Sequence, residues 1–350
     1  MARPYRRCME TQMDGSAYGP TGYEDECERR LREGAPPNLL PMRMRLMELQ
    51  AHEITRCMDA LSRVSRDLLF GGFTALRLQG VPLPHTLQRY GDTVGGDDLC
   101  VLAPRRNART RLCGARFYHM NIPLQIVEPM PGIRCVSVVC TWFMLARFLS
   151  LEELVTLGDC LLMRRVAHDP VTIEDFDVFV TRMEKLGKLH ALGRKRAPRG
   201  VKKARRAIAL LRGNMESPQE ARLSLELRKR GLPEPVANPS IILDDGTVVR
   251  GDLVFVDAGV ICEYDGAHHL GQLEQDRIRR AKIECSGWRY VQVTRVDMAT
   301  PDARAWMARR VAYALEERTG VRYPTDDVIP LEAIADRELR TMLPAWGRVA

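Results

Sequence analysis

An α/β fold is what this sequence predicts, and two observations carry the expectation. From 217 to 294 the chain reads helix, three strand-length apolar runs, helix and strand, and upstream short apolar runs likewise give way to leucines at helical spacing. At 350 residues the chain is also long enough for two or three domains, each with an adequate core.

The elements follow in chain order. Residues 1–42 are rich in Gly, Pro, Arg and Glu with weak periodicity, which predicts a poorly ordered leader. An amphipathic helical pattern runs from Arg43 to about Leu69, and Phe73 to Leu78 reads as a short helix stopped by Gly80, Pro82 and Pro84. Leu99 to Ala103 and Ile122 to Val127 read as strands. Val136 to Arg147, Leu151 to Arg164 and Ile173 to Leu186 read as helices, the second with Leu151, Leu154, Leu157 and Leu161 on one face. These segments define an α+β N-terminal region over 43–182. Further on, Ser217 as N-cap, Pro218 at the first helical position and Glu220 three residues after the cap open a helix that ends near Gly231. A strand at Pro239 to Leu243 and a turn at Asp244-Asp245-Gly246 follow. Leu253 to Val256 and Val260 to Glu263 then flank Asp257-Ala258-Gly259 as a hairpin. A basic helix follows Gly271 and closes at Gly287, and Trp288 to Thr294 reads as the last strand. The domain ends near 320, leaving 321–350 as a tail.

The net charge of +8 is local. Eleven Lys or Arg and no Asp or Glu lie between Lys185 and Arg212; eight less eleven leaves about −3 for the rest. The run, taken as a basic connecting segment over 183–213, reads as a contact for a phosphate backbone through Lys202, Lys203, Arg205 and Arg206. Equally it reads as a solvated linker helix with Ala204, Ile208 and Leu211 packed inward. Ten scattered cysteines form no Cys-x-x-Cys pair and no zinc-spaced set with histidine, which predicts reduced thiols in a cytosolic protein. The most apolar stretch, Cys135 to Leu149, is too short to span a bilayer and carries Arg147. No phosphate-cradling glycine loop is present; Gly95-Gly96 lacks the spacing.

The chemistry concentrates between Gly251 and His269. With a two-residue loop at Asp257 and Ala258, Asp252 lies opposite Glu263 across the ladder, where cross-strand partners share a face. Glu263 and Asp265 share that face because side chains alternate along a strand. Three acids bunched together call for a positive partner, and oxygen ligands suit a hard divalent cation. Alternation puts Cys262 on the other face.

These residues resemble the PD-(D/E)XK nuclease superfamily, and within it endonucleases similar to the very-short-patch mismatch-repair enzymes. The likeness covers about 214–298 and is carried by Glu-Ser-Pro-Gln-Glu at 216–220, Gly-Leu-Pro-Glu-Pro at 231–235, Glu-Tyr-Asp-Gly-Ala-His-His at 263–269 and Gly-Trp-Arg at 287–289. It implies a restriction-endonuclease-like α/β/α domain with a mixed central sheet over 214–320. It further implies Glu220 on the first core helix, Asp252 and Glu263 as ligands of Mg²⁺ or Mn²⁺, and Asp265 and His269 in an Asp-Gly-x-x-His turn. Asp276 and Arg280 match the helix behind the site, and Arg277 and Arg280 would face DNA. The chain departs from the pattern twice: Gly251 stands where proline is expected, and Asp265 stands where a lysine normally positions the attacking water. That leaves a relocated cation, Lys282 or Arg280, or His269 as the proton-handling group. More loosely, Thr-Ala-Leu-Arg-Leu-Gln-Gly-Val-Pro-Leu-Pro at 74–84 resembles the amino-terminal part of bacterial abortive-infection type IV antitoxins, which implies regulation, DNA binding and a toxin or defence-system partner.

Each site residue also has a plainer reading. Glu220 completes a capping box, Asp252 and Asp265 are strand-edge or turn aspartates, and His269 is a hydrogen-bonded structural residue beside an idle His268. Trp288 reads as core. Three functions are consistent with the sequence: a Mg²⁺-dependent DNA endonuclease, a catalytically silent DNA-binding antitoxin or regulator on a nuclease-like fold, and a metal-free structural partner.

Overall fold

A computed structural model of the chain describes residues 42–65, 67–84, 87, 98–103, 112–163, 170–192, 198–265 and 273–346. Three expectations fall outside them: the leader to residue 41, Gly95-Gly96, and the turn carrying His268 and His269. The fold is α/β, in two compact units that divide between Gly213 and Asn214 and again between Ile334 and Ala335, within the last helix.

In the N-terminal unit, helix α1 (Met42–Ser62) precedes strand β1 (Leu69–Phe70) and the short helix α2 (Gly72–Leu78). Strands β2 (Leu99–Leu102), β3 (Ala115–Tyr118), β4 (Ile126–Met130) and β5 (Ile133–Val136) complete a mixed sheet in the order β3-β2-β1-β5-β4. The sequence reading missed β1, β3 and β5, each four residues or shorter, because so few residues carry no measurable period. Gly71 lies against Leu102, whose Cγ would stand 2.9 Å from an added Cβ, so only glycine lets β1 turn into α2 there. Phe70, Val101, Ile133 and Cys135 fill the core beneath α1.

Four helices follow: α3 (Val138–Leu145), α4 (Leu151–Leu162), α5 (Ile173–Leu192) and α6 (Val201–Leu210). Ser150 and Glu153 close a full capping box at the start of α4. Leu154, Leu157 and Leu161 are fully buried, as their spacing requires. The Trp142 indole donates to the Leu154 carbonyl at 2.8 Å and meets Phe176 edge-on at 4.7 Å. Residues 183–213 are built into this unit. Helix α6 buries Ala204, Ala207, Ala209 and Leu210 against α4 and α5, and the Arg212 amide donates to the buried Asp159 carboxylate at 2.9 Å. The segment reads as a linker in sequence because its packing face is alanine, which periodicity weighs lightly.

In the C-terminal unit, helix α7 (Pro218–Lys229) opens as its sequence dictates: the Ser217 hydroxyl accepts from the Glu220 amide and Pro218 begins the helix. The central sheet runs β11-β10-β9-β6, from β6 (Val236–Ala237), β9 (Leu253–Phe255), β10 (Val260–Asp265) and β11 (Arg289–Thr294). It is mixed, with β10 parallel to β11 and antiparallel to β9. Strands β7 (Ser240–Ile242) and β8 (Val248–Arg250) form a separate hairpin around Gly246, whose φ of 80° suits glycine. Helix α8 (Leu273–Cys285) and this hairpin cover one face through Ile241, Val249, Val254, Ile261 and Ile283. Helices α7 and α9 (Pro301–Thr319) pack against β10 and cover the other face, where Cys262 is fully buried. Full burial of each such aliphatic side chain contributes ~1.5–3 kcal/mol. The expected tail contains a helix, α10 (Leu331–Trp346). Among the described residues no helix is long and apolar enough to cross a membrane.

Candidate functional site

The hairpin sets the geometry. Strand β9 pairs with β10 as Val260↔Phe255, Ile261↔Val254 and Cys262↔Leu253, so the next position outward sets Asp252 opposite Glu263. The expected register therefore holds with a longer loop: Val256–Ala258 wind into a 3₁₀ turn, and Gly259 at φ 62° reverses the chain. The Tyr264 amide donates to Asp252 Oδ2 at 2.8 Å, tying the two strand ends together.

Glu220 arrives from α7 and is buried. Its Oε2 accepts from the Glu216 amide and from Asn238 Nδ2, both at 2.8 Å. It thus caps the amide before Ser217 and holds Asn238, whose φ of 51° is unusual for a residue other than glycine. Asp252 feels both neighbouring acids. Burial first, then the Glu220 charge, push its carboxyl up to about 7; the Tyr264 amide opposes this, Glu263 adds to it and Arg279 opposes it.

Glu263 is paired bidentately with Arg279 of α8, at 2.7 and 2.6 Å, and accepts from the Tyr290 hydroxyl at 2.8 Å. Arg279 also donates to the Arg250 carbonyl, so one guanidinium joins α8, β8 and β10. Burial, followed by Glu263, raises the Tyr290 hydroxyl far above its ordinary value and keeps it a donor. Asp265 lies on the same face and accepts from Gln292 of β11. Cys262, pushed up to about 12 chiefly by burial, stays a thiol and offers no ligand.

The structure thus brings Glu220, Asp252 and Glu263 together at one end of the sheet, with Asp265 two residues on. Among the described residues Arg279 brings a positive charge to this group through Glu263. Lys282 instead pairs with Asp245 at 3.4 Å, and Arg280 pairs with Glu284 and lies 5.0 Å over the Tyr290 ring. Helical phase could have found Arg279: it sits one turn before Ile283, the fully buried residue that turns this face of α8 to the sheet. Gly251, where the resemblance expects proline, has no room for a side chain, since an added Cβ would stand 2.8 Å from Val254 Cγ2 and 3.0 Å from Ile261 Cγ2. Asp276 and Arg277 are exposed on α8.

The basic run on α6 has other partners. Arg205 is bound by Asp177, Thr181 and Glu184 of α5. Arg206 forms a two-bonded pair with Asp336 of α10, and Lys203 donates to the Leu149 carbonyl. Of the four basic residues of α6 expected to contact phosphates, Lys202 is the exposed one. The eight described cysteines are free.

Comparison of the chain with protein-family models, with curated proteins and with solved structures gives no match.

Proposed function

We propose that the C-terminal unit is a metal-dependent phosphodiester hydrolase acting on DNA. The observation that carries the reading is Asp252, half-buried beside Glu220 and Glu263 and pushed up to about 7: three carboxylates meet here, and the Arg279 guanidinium among them is paired with Glu263. The donor chemistry fits a hard divalent cation, because every candidate ligand is a carboxylate oxygen. Among the described residues no group of three or more His, Cys, Asp or Glu is arranged to hold an ion. Mg²⁺ does not demand one, since it commonly takes one or two carboxylates together with substrate phosphates and water. Asp252 and Glu263 would hold Mg²⁺ or Mn²⁺, which when bound would polarise a phosphate oxygen and acidify bound water.

The remaining work falls to the chain's own groups. Glu220 fixes the Asn238 loop beside Asp252 through its two accepted hydrogen bonds. Arg279 is a fork of donors whose geometry matches a phosphate as well as a carboxylate, and the Tyr290 hydroxyl is a second donor on the same face. His269, which lies outside the described residues, is the candidate for proton transfer. Incubating the full chain with supercoiled plasmid and Mg²⁺ or Mn²⁺, beside an EDTA control and the Glu263→Ala protein, tests the reading. Nicking or linearisation that needs both the metal and Glu263 supports it.

A second reading has its own observation. Arg279 already neutralises Glu263, and Asp265 occupies the place of the usual lysine, which favours a silent DNA-binding regulator on the same fold. DNA retarded in a gel but left intact under every metal condition would select it. In either case the N-terminal unit would serve regulation, with a toxin or other defence-system protein as the expected partner.

A further inference from the structure

We propose that the cleft along the outer edge of β11 binds a single strand of nucleic acid, stacking unpaired bases on α9 and meeting their phosphates with arginines. The cleft lies within the C-terminal unit, has a volume of about 770 Å³, and is bounded by β11, one side of α9 and the segment after Gly320. It stays open because β11 is the last strand of its sheet.

Two features of the lining select the ligand. Arg280, Arg289, Arg309, Arg310 and Arg322 line it with two acids, Glu316 and Asp326, while Arg280 and Arg310 are paired with Glu284 and Asp297 just outside it, at 3.0 and 2.7 Å. Among the described residues Arg322 has no hydrogen bond or ion pair. Arg309 and Arg289 are held only by exposed pairs, to Asp326 at 3.0 Å and Glu317 at 3.6 Å, which phosphates can replace at little cost.

The second feature is aromatic. Trp306 and Tyr313 are 61% and 59% exposed and stand seven residues apart, two turns along one face of α9. Large rings left in water between guanidinium groups add nothing to a core, but they match an unstacked base, whose π-face is available only in a single strand. A duplex would present phosphates alone and leave both rings without partners. Tyr290 also lines the cleft while its hydroxyl donates to Glu263, so a strand lying there abuts the carboxylate cluster. The inference goes beyond the hydrolase reading and does not depend on it, because binding needs no catalysis.

The test is fluorescence anisotropy of the full chain with labelled oligo-dT of about 20 nucleotides, oligo-U RNA of the same length and a DNA duplex, in EDTA and over a salt series. The single strands should bind more tightly than the duplex, and the RNA arm assigns the sugar. Trp306→Ala with Tyr313→Ala should weaken oligo-dT binding by about tenfold or more. Arg289→Gln with Arg322→Gln should weaken it and lower the salt slope by about 1.4, at ~0.7 per phosphate contact. All four positions are exposed, and circular dichroism verifies the fold. Oligo-dT affinity unchanged in both double variants, a uniform preference for duplex, or no binding at about 50 mM salt overturns the proposal. Binding without cleavage removes only the hydrolase reading; cleavage that survives both double variants with unchanged affinity removes only this one.

Discussion

Asp252→Asn is expected to stabilise the protein, and by an amount that grows with pH. Asparagine keeps the shape and can still accept from the Tyr264 amide, but it cannot ionise between Glu220 and Glu263. The sign follows from linkage. A carboxyl raised from an ordinary 3.8 to about 7 binds its proton more tightly in the folded state, so its contribution is fully present below about pH 4 and is lost as pH rises through 7. The difference between the two pKa values corresponds to about 4 kcal/mol at full ionisation. The cost to the wild type is then about 2 kcal/mol near pH 5 and about 4 kcal/mol near pH 8, as upper values. With a urea slope of ~2 kcal/mol per molar, the variant's midpoint should lie about 1 M higher near pH 5 and about 2 M higher near pH 8. Urea denaturation of both proteins in EDTA, followed by tryptophan fluorescence at the two pH values, reads this directly. A midpoint difference that does not change with pH would refute the convergence of the three acids, whatever the protein's activity. Saturating Mg²⁺ should narrow the gap, since an ion that needs ionised Asp252 stabilises the wild type alone.

Three further outcomes are expected. Arg205→Gln should lower stability by about 1–2 kcal/mol, since it abandons Asp177 and Glu184, and should leave nucleic-acid affinity unchanged; denaturation and gel retardation check the two halves. Gly158→Ala should cost about 1–3 kcal/mol, because the new methyl would stand 2.5 Å from Leu211 Cδ2 and 3.2 Å from the Trp142 indole nitrogen in a filled core, and thermal melting would show it. Arg279→Gln should destabilise by about 1–2 kcal/mol by leaving the mostly buried Glu263 carboxylate with only the Tyr290 hydroxyl, and urea midpoints at neutral pH measure it.

Much of the C-terminal unit was legible in the sequence because its signals are local. Ser217 with Pro218 fixes where α7 starts, Gly246 and Gly287 mark turns by their positive φ, and alternation along β10 puts Glu263 and Asp265 on one face. The pairing of Asp252 with Glu263 was legible too, since the four-residue turn and the expected two-residue loop give the same register. The strand at Val248–Arg250 was missed because three residues carry no period, and the ion pairs of the basic run were not legible because a charged surface does not disclose its partners. His269 lies outside the described residues.

By itself, then, the sequence determined the order of elements, the carboxylates that share a strand face and the concentration of basic charge before residue 213. Tertiary structure alone decided which charges neutralise which. Arg205 is bound to α5 and Arg279 to Glu263, while Arg289, Arg309 and Arg322 come together at the edge of β11 from three separate segments. The physical reason is range. Caps, turns and strand alternation act within a few residues, whereas charges tens of residues apart meet only when the chain packs.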